Sequence, residues 1–149
     1  MAVTRVRVEG LRELQDALQE LPKLTAKNVM KRVLTKRAQP IADDAESRVR
    51  VKSGKLKISV GVGTKLSRRQ RGMHQKAAQD EVEVFVGPGA LQQATTEEFG
   101  TYKQAAHPYM RPAWDAHKGK LLEGIREDLQ QEIIKAAARI ARKAAKARG

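Results

Sequence analysis

After Pro112 a single pattern persists almost to the end of the chain: Leu122, Ile125, Leu129, Ile133, Ala137, Ile140 and Ala144 recur at 3.6-residue spacing. Pro112 stands where the first turn of a helix tolerates a residue without an N–H. The pattern therefore predicts a helix from about Ala113 to about Lys146, which at 1.5 Å per residue would be about 50 Å long. A compact domain of 149 residues does not cover such a helix over its whole length. The prediction is a single α+β domain, 1–149, with a body over 1–112 and a long C-terminal helix over 113–149. Aromatic residues make up only 3% of the chain, so its core must be built mainly from Val, Leu, Ile and Ala.

Within the body, Val3 to Val8 alternates, with Val6 and Val8 on one face and Arg5 and Arg7 on the other, and reads as a short strand. Gly10 breaks it. Leu11, Leu14, Leu18 and Leu21 then follow at helical spacing until Pro22. A second helix is expected from about Thr25, as N-cap, to about Arg48, with a kink at Pro40. Ser53-Gly54 marks the turn out of it. Leu56, Ile58, Val60 and Val62 alternate, as do Val82, Val84 and Val86, which predicts two antiparallel strands joined by a polar, basic loop over 64–80. Such a loop is either mobile or ordered by a partner. Gly87-Pro88-Gly89 closes the second strand, and the segment from there to Pro108 has only weak periodicity. The architecture expected is a small antiparallel sheet packed with helices.

The formal charge of +13 is concentrated in two segments. Between Ser47 and Gln79 the chain carries Arg48, Arg50, Lys52, Lys55, Lys57, Lys65, Arg68, Arg69, Arg71 and Lys76 without an acid. After Ile134 come Lys135, Arg139, Arg142, Lys143, Lys146 and Arg148, again without one. Segments of this kind meet polyanions or acidic protein surfaces. The basic helix end also complements the helix dipole.

No constellation in the sequence points to catalysis. Gly61-Val62-Gly63 and Gly87-Pro88-Gly89 lack the third glycine and following helix of a dinucleotide cradle. Ser53-Gly54-Lys55 fails as a phosphate loop because Val49 and Leu56 occupy its other required positions. His74, His107 and His117 are scattered, and without any cysteine there is neither a disulfide nor a thiolate metal site. Glu97 and Glu98 read as ordinary surface charge, since no second carboxylate or histidine stands at helical spacing to them. Ser53 and Ser59 lack an identifiable base. No enzyme, metal or cofactor is expected. No apolar run approaches the roughly 20 residues that span a bilayer, and no segment reads as a signal peptide, so the reading is a soluble protein of a reducing cytoplasm.

Three short segments carry more information: Ser53-Gly54-Lys55-Leu56-Lys57, Glu98-Phe99-Gly100-Thr101, and His107-Pro108-Tyr109-Met110-Arg111-Pro112-Ala113. In this order and spacing the chain resembles the minor structural proteins of the neck in long-tailed bacteriophages, the head-tail joining or tail-completion family of lambdoid tail-component type. The resemblance runs from Gly10-Leu11 into the last helix. The commonest family pattern has Pro before a Thr-Gly pair and Phe in the later proline motif, where this chain has Val51, Ser53 and Tyr109. The resemblance implies a virion protein, assembled in the host cytoplasm, that forms a homo-oligomeric ring with heterologous contacts. It also implies other neck and tail proteins as partners, with DNA in the channel nearby. On that basis Phe99, Gly100, Thr101, Tyr109, Met110, Arg111 and Trp114 are candidate subunit contacts; Tyr, Trp and Arg concentrate at interface hot spots. Core packing is the competing role for Phe99 and for the Tyr109, Met110 and Trp114 cluster.

Lys65, Arg68, Arg69, Arg71, Lys76, Arg139, Arg142, Lys143 and Lys146 are candidate contacts to DNA or to a protein partner. The alternative function is a basic nucleic-acid-binding protein that contacts the duplex backbone. Neither basic segment contains an aromatic residue, so recognition of single strands by base stacking is disfavoured.

Overall fold

The computed structural model describes residues 12–149, apart from Lys76, Asp80 and the side chain of Glu13. The fold is α+β, in the order α1 (Arg12–Glu20), α2 (Lys23–Arg48), α3 (Lys55–Ser59), β1 (Gly61–Gly63), α4 (Arg68–Met73), β2 (Phe85–Gly87), α5 (Gln92–Phe99) and α6 (Met110–Arg148). The strand expected over Val3–Val8 lies outside the described residues. The expected antiparallel pairing is present, with Gly61 opposite Gly87, Val62 opposite Val86 and Gly63 opposite Phe85.

The long helices α2 and α6 run antiparallel, as their ion pairs show: Asp44 meets His117, Arg37 meets Asp128, and Arg32 meets Glu132. Around this pair the core divides in two. One cluster holds Ile41, Ala42 and Ala45 of α2 and Val49 just after it with Leu56, Val60, Ala94, Tyr109 and Ala113. The other joins Leu21, Val29 and Val33 to Leu129, Ile133 and Ala136, with Leu14 and Leu18 of α1 packed against it. Between them lies a charged layer. Arg37 Nε donates to Asp128 Oδ2 at 2.6 Å, and Lys36 Nζ donates to Oδ1 at 3.3 Å. The Arg37 hydrogen bond outweighs burial and holds the Asp128 carboxyl below its ordinary range. Gly124 leaves room for this pair, since a Cβ there would stand 2.6 Å from Arg37 Nη1.

Several expectations are corrected. Helix α2 begins at Lys23 after Pro22, not at a Thr25 cap; as expected it is not divided at Pro40, whose side chain faces solvent. The alternation from Leu56 to Val62 forms mostly a helical turn rather than a strand: Gly54 adopts φ +76°, α3 follows, Leu56 is buried, and Ile58 is 84% exposed. The loop over 64–80 contains a helix, α4, closed by a reciprocal cap in which Ser67 Oγ accepts from the Gln70 N–H and Gln70 Oε1 accepts from the Ser67 N–H. The aperiodic segment before Pro108 contains α5. Along α6 the stripe is buried at Leu129 and Ile133, but Ala137, Ile140 and Ala144 are exposed. At 26 residues α2 is about 39 Å long and at 39 residues α6 is about 58 Å. The C-terminal turns of α6 therefore overhang their partner.

Candidate assembly interface

The junction between α5 and α6 is built around a buried carboxylate. The first helical turn has four backbone N–H groups without intrahelical acceptors, and Tyr109 offers no side-chain cap for them. Glu98 supplies one. Its Oε2 accepts from the N–H of Tyr109 at 2.8 Å and of Met110 at 2.9 Å, and its Oε1 from Arg111 at 3.0 Å. The fourth position is Pro112, which has no N–H, so the donors of this turn are accounted for. A carboxylate is also favoured by the positive end of the helix dipole. Tyr109 is 1% exposed, and its hydroxyl donates to the Ala94 carbonyl at 3.2 Å. Burial, with the neighbouring carboxylates of Glu98 and Glu97, pushes that phenol up to about 12.

Glu97 is buried as well and meets a different set of partners. Arg50 Nη2 donates to its Oε2 at 3.0 Å, Gln104 Nε2 to its Oε1 at 2.9 Å, and Lys52 pairs with Oε1 at 3.4 Å. Burial pushes this carboxyl up, but the three donors outweigh it and leave it below its ordinary range. Neither Glu97 nor Glu98 is the surface charge that spacing alone predicts. Their roles depend on partners at long sequence separation, so helical spacing carries no trace of them. The helix start at Met110, three residues before the Ala113 that the sequence predicts, lacks an N-cap side chain and so requires an acceptor from elsewhere, which only the structure shows.

The two carboxylates frame a stiff loop over 100–108. Gly100 takes φ +74°, and a Cβ there would stand 2.7 Å from the Ala106 nitrogen, so only glycine closes this turn. Thr101 and Gln104 exchange backbone hydrogen bonds at 2.8 and 3.2 Å, and the His107 N–H reaches the Glu97 carbonyl at 2.7 Å. At the tip Tyr102 is 93% exposed, a residue that the sequence reading did not single out.

The predicted interface residues divide accordingly. Tyr109 is enclosed by its own fold, Met110 packs on the core, and Gly100 is half-buried against the backbone of Gln104 and Ala106. Phe99, Thr101, Arg111 and Trp114 face solvent. Phe99 is 61% exposed rather than packed in the core, and the Arg111 guanidinium lies 5.3 Å from its ring centroid. Phe99, Ala106, Pro108, Arg111, Pro112 and Asp115 border an open groove of about 370 Å³.

The basic candidates form two separate surfaces. Lys65, Arg68, Arg69 and Arg71 are exposed on and before α4, while Lys76 lies outside the described residues. Just after α4, His74 contacts Glu83 at 2.9 Å and meets the Phe85 ring edge-on, which fixes the helix beside β2. Arg139, Arg142, Lys143 and Lys146 are exposed on the overhanging end of α6, where no acid is in contact with them among the described residues.

The family model for HK97-gp10-like bacteriophage tail components matches residues 12–100. That span covers more than half of the sequence, and the chain belongs to this family of structural tail components, which makes it a virion protein. The match ends at Gly100, so the loop tip and α6 lie beyond it. No curated protein and no solved structure shows significant similarity to the chain.

Proposed function

We propose that this protein forms a ring in the neck of a long-tailed phage and joins head to tail or completes the tail, acting by assembly rather than catalysis. The observation that carries the reading is the hydrogen-bonded α5–α6 junction, which holds Phe99, Tyr102 and Trp114 in solvent, with Arg111 against the Phe99 ring. Aromatic side chains on a pre-ordered backbone lose little further entropy when a partner covers them, which suits them to hot spots. In the ring, Phe99, Thr101, Tyr102, Arg111 and Trp114 contact the neighbouring subunit, and Gly100, Tyr109 and Met110 hold them in place. Deleting the gene from its phage and imaging the induced particles tests this. Filled heads beside unattached or aberrant tails, restored by the wild-type gene in trans, support it; infectious virions at normal yield refute it.

The basic end of α6, which meets no acid among the described residues, supports a second reading, contact with the backbone of duplex DNA through Arg139, Arg142, Lys143 and Lys146. Each neutralised phosphate contributes about −0.9 to the slope of log affinity against log salt. Replacing all four by Gln should flatten the slope by about 3 to 4. An unchanged slope would remove DNA from this surface.

A further inference from the structure

The loop between α5 and α6 carries a knob and borders a groove. Thr101 and Gln104 exchange backbone hydrogen bonds at 2.8 and 3.2 Å, and the Lys103 N–H donates to Thr101 Oγ1 at 3.3 Å. This pairing sets Tyr102 and Lys103 at the tip of a tight turn. Tyr102 is 93% exposed, with the Lys103 ammonium 5.3 Å from its ring centroid. The groove runs past the base of the same loop. It is walled by the Phe99 ring, Ala106, Pro108 and Pro112, with the Arg111 guanidinium 5.3 Å from the Phe99 centroid and the Asp115 carboxylate beside them. At about 370 Å³ it has room for an aromatic side chain. Both halves are ordered in advance. Glu98 fixes the first turn of α6, which carries Arg111 and Pro112, and Gly100 at φ +74° joins Phe99 to the tip. Surfaces already ordered lose little entropy on contact.

We propose that Tyr102 of one copy of this chain enters the groove between Phe99, Arg111 and Pro112 of the next copy. This contact rests on the ring reading and specifies which side chain of one subunit meets which surface of its neighbour. Two complementarities select a second copy as the occupant. The first is between the rings. A guanidinium stacks on aromatic faces, so Tyr102 extends the Phe99–Arg111 contact to a second ring while Pro108 and Pro112 give it apolar area to bury. The second is of charge. Lys103 stands next to Tyr102 on the tip, and the groove holds Asp115, whose side chain is 56% exposed beside its 2.6 Å pair with Lys118. Lys103 of the entering tip therefore meets a carboxylate. That carboxylate and the apolar walls disfavour a phosphate backbone in the same place. The tip does not fold back into its own groove, because the pairing of Thr101 with Gln104 holds Tyr102 in solvent. A knob and a groove at different places on one chain make a heterologous contact, which repeats around an axis and forms a ring when the rotation closes.

Photo-cross-linking in whole particles tests the proposal. Benzoylphenylalanine in place of Tyr102 keeps an aromatic ring at the tip. On irradiation it should give a covalent dimer in which the tip is joined to residues 104–118, the tryptic peptide that carries Ala106, Pro108, Arg111, Pro112 and Asp115. Particles assembled from isotopically heavy and light chains together identify the joins made between copies. A join to any other part of the chain, to another virion protein or to DNA would overturn the proposal, as would the absence of a covalent product. Lys103→Glu should lower the yield of infectious particles about threefold or more, and Asp115→Lys added to it should restore the yield; no restoration would overturn the proposal. Both side chains are exposed, so the urea midpoints of these variants should match that of wild type. A lysine-reactive cross-linker applied to wild-type particles separates this contact from the ring itself. A ladder of copies with the photoproduct elsewhere would keep the ring and remove the Tyr102 contact, whereas no ladder would remove both.

Discussion

The two ends of α6 are held by opposite means. At Met110 the helix starts inside the molecule, where Glu98 receives three backbone N–H groups and Tyr109 is 1% exposed. At Arg148 it ends in solvent, where residues 137–149 are exposed and no element packs against them among the described residues. The start is fixed by tertiary contacts. The end persists on the helix propensity of Ala, Arg and Lys and on bases placed at the negative end of the dipole.

The strongest way to break this contrast is Glu98→Ala. It leaves three N–H groups without their acceptor beside a buried tyrosine and should lower unfolding free energy by about 2 to 3 kcal/mol, measured by urea titration. A loss below about 0.5 kcal/mol would mean that water replaces the carboxylate and that the start of α6 is not anchored as described. Midway along the helix, Asp128→Asn should cost about 2 kcal/mol, because it weakens a charge-assisted pair between two apolar clusters. Its pH signature has a definite sign. The folded carboxyl titrates below its unfolded value, so its contribution is present above the usual carboxylate range near pH 4 and is lost as pH falls through the folded value. Glu97 titrates in the same direction. Wild type should therefore lose more stability than Asp128→Asn between about pH 5 and pH 2, and parallel losses would remove the pair from the account.

Gly100→Ala tests whether the loop beside the anchored start is stiff. Its φ of +74° and the close approach of Ala106 predict a cost of about 1 to 2 kcal/mol. Phe99→Ala and Tyr102→Ala should change the stability of the isolated chain by less than about 0.5 kcal/mol yet reduce particle yield. If both destabilise the isolated chain as a core truncation does, these rings are structural and the interface lies elsewhere. The smallest effect on folding belongs to the far end: Gln at Arg139, Arg142, Lys143 and Lys146 should leave the urea midpoint unchanged. A large loss of stability there would show that the overhang is packed after all.

The sequence by itself determined much of the frame. Periodicity gave α2 and α6 nearly whole, alternation and glycine punctuation gave one antiparallel pairing, and charge counting located both basic surfaces. These features are local, so spacing and composition record them. It also misread Leu56 to Val62, because alternation over so few residues does not distinguish a strand from a helical turn followed by a short strand. Only the tertiary structure decided which carboxylates are buried, which aromatics face solvent and where α6 loses its cover. Glu98 caps residues 11 to 13 positions away, Phe99 faces outward although Tyr109 faces inward, and Ala137 is exposed because α2 is shorter than α6. Each outcome depends on contacts between segments distant in sequence and on the relative lengths of packed elements, and neither quantity is encoded at any single position.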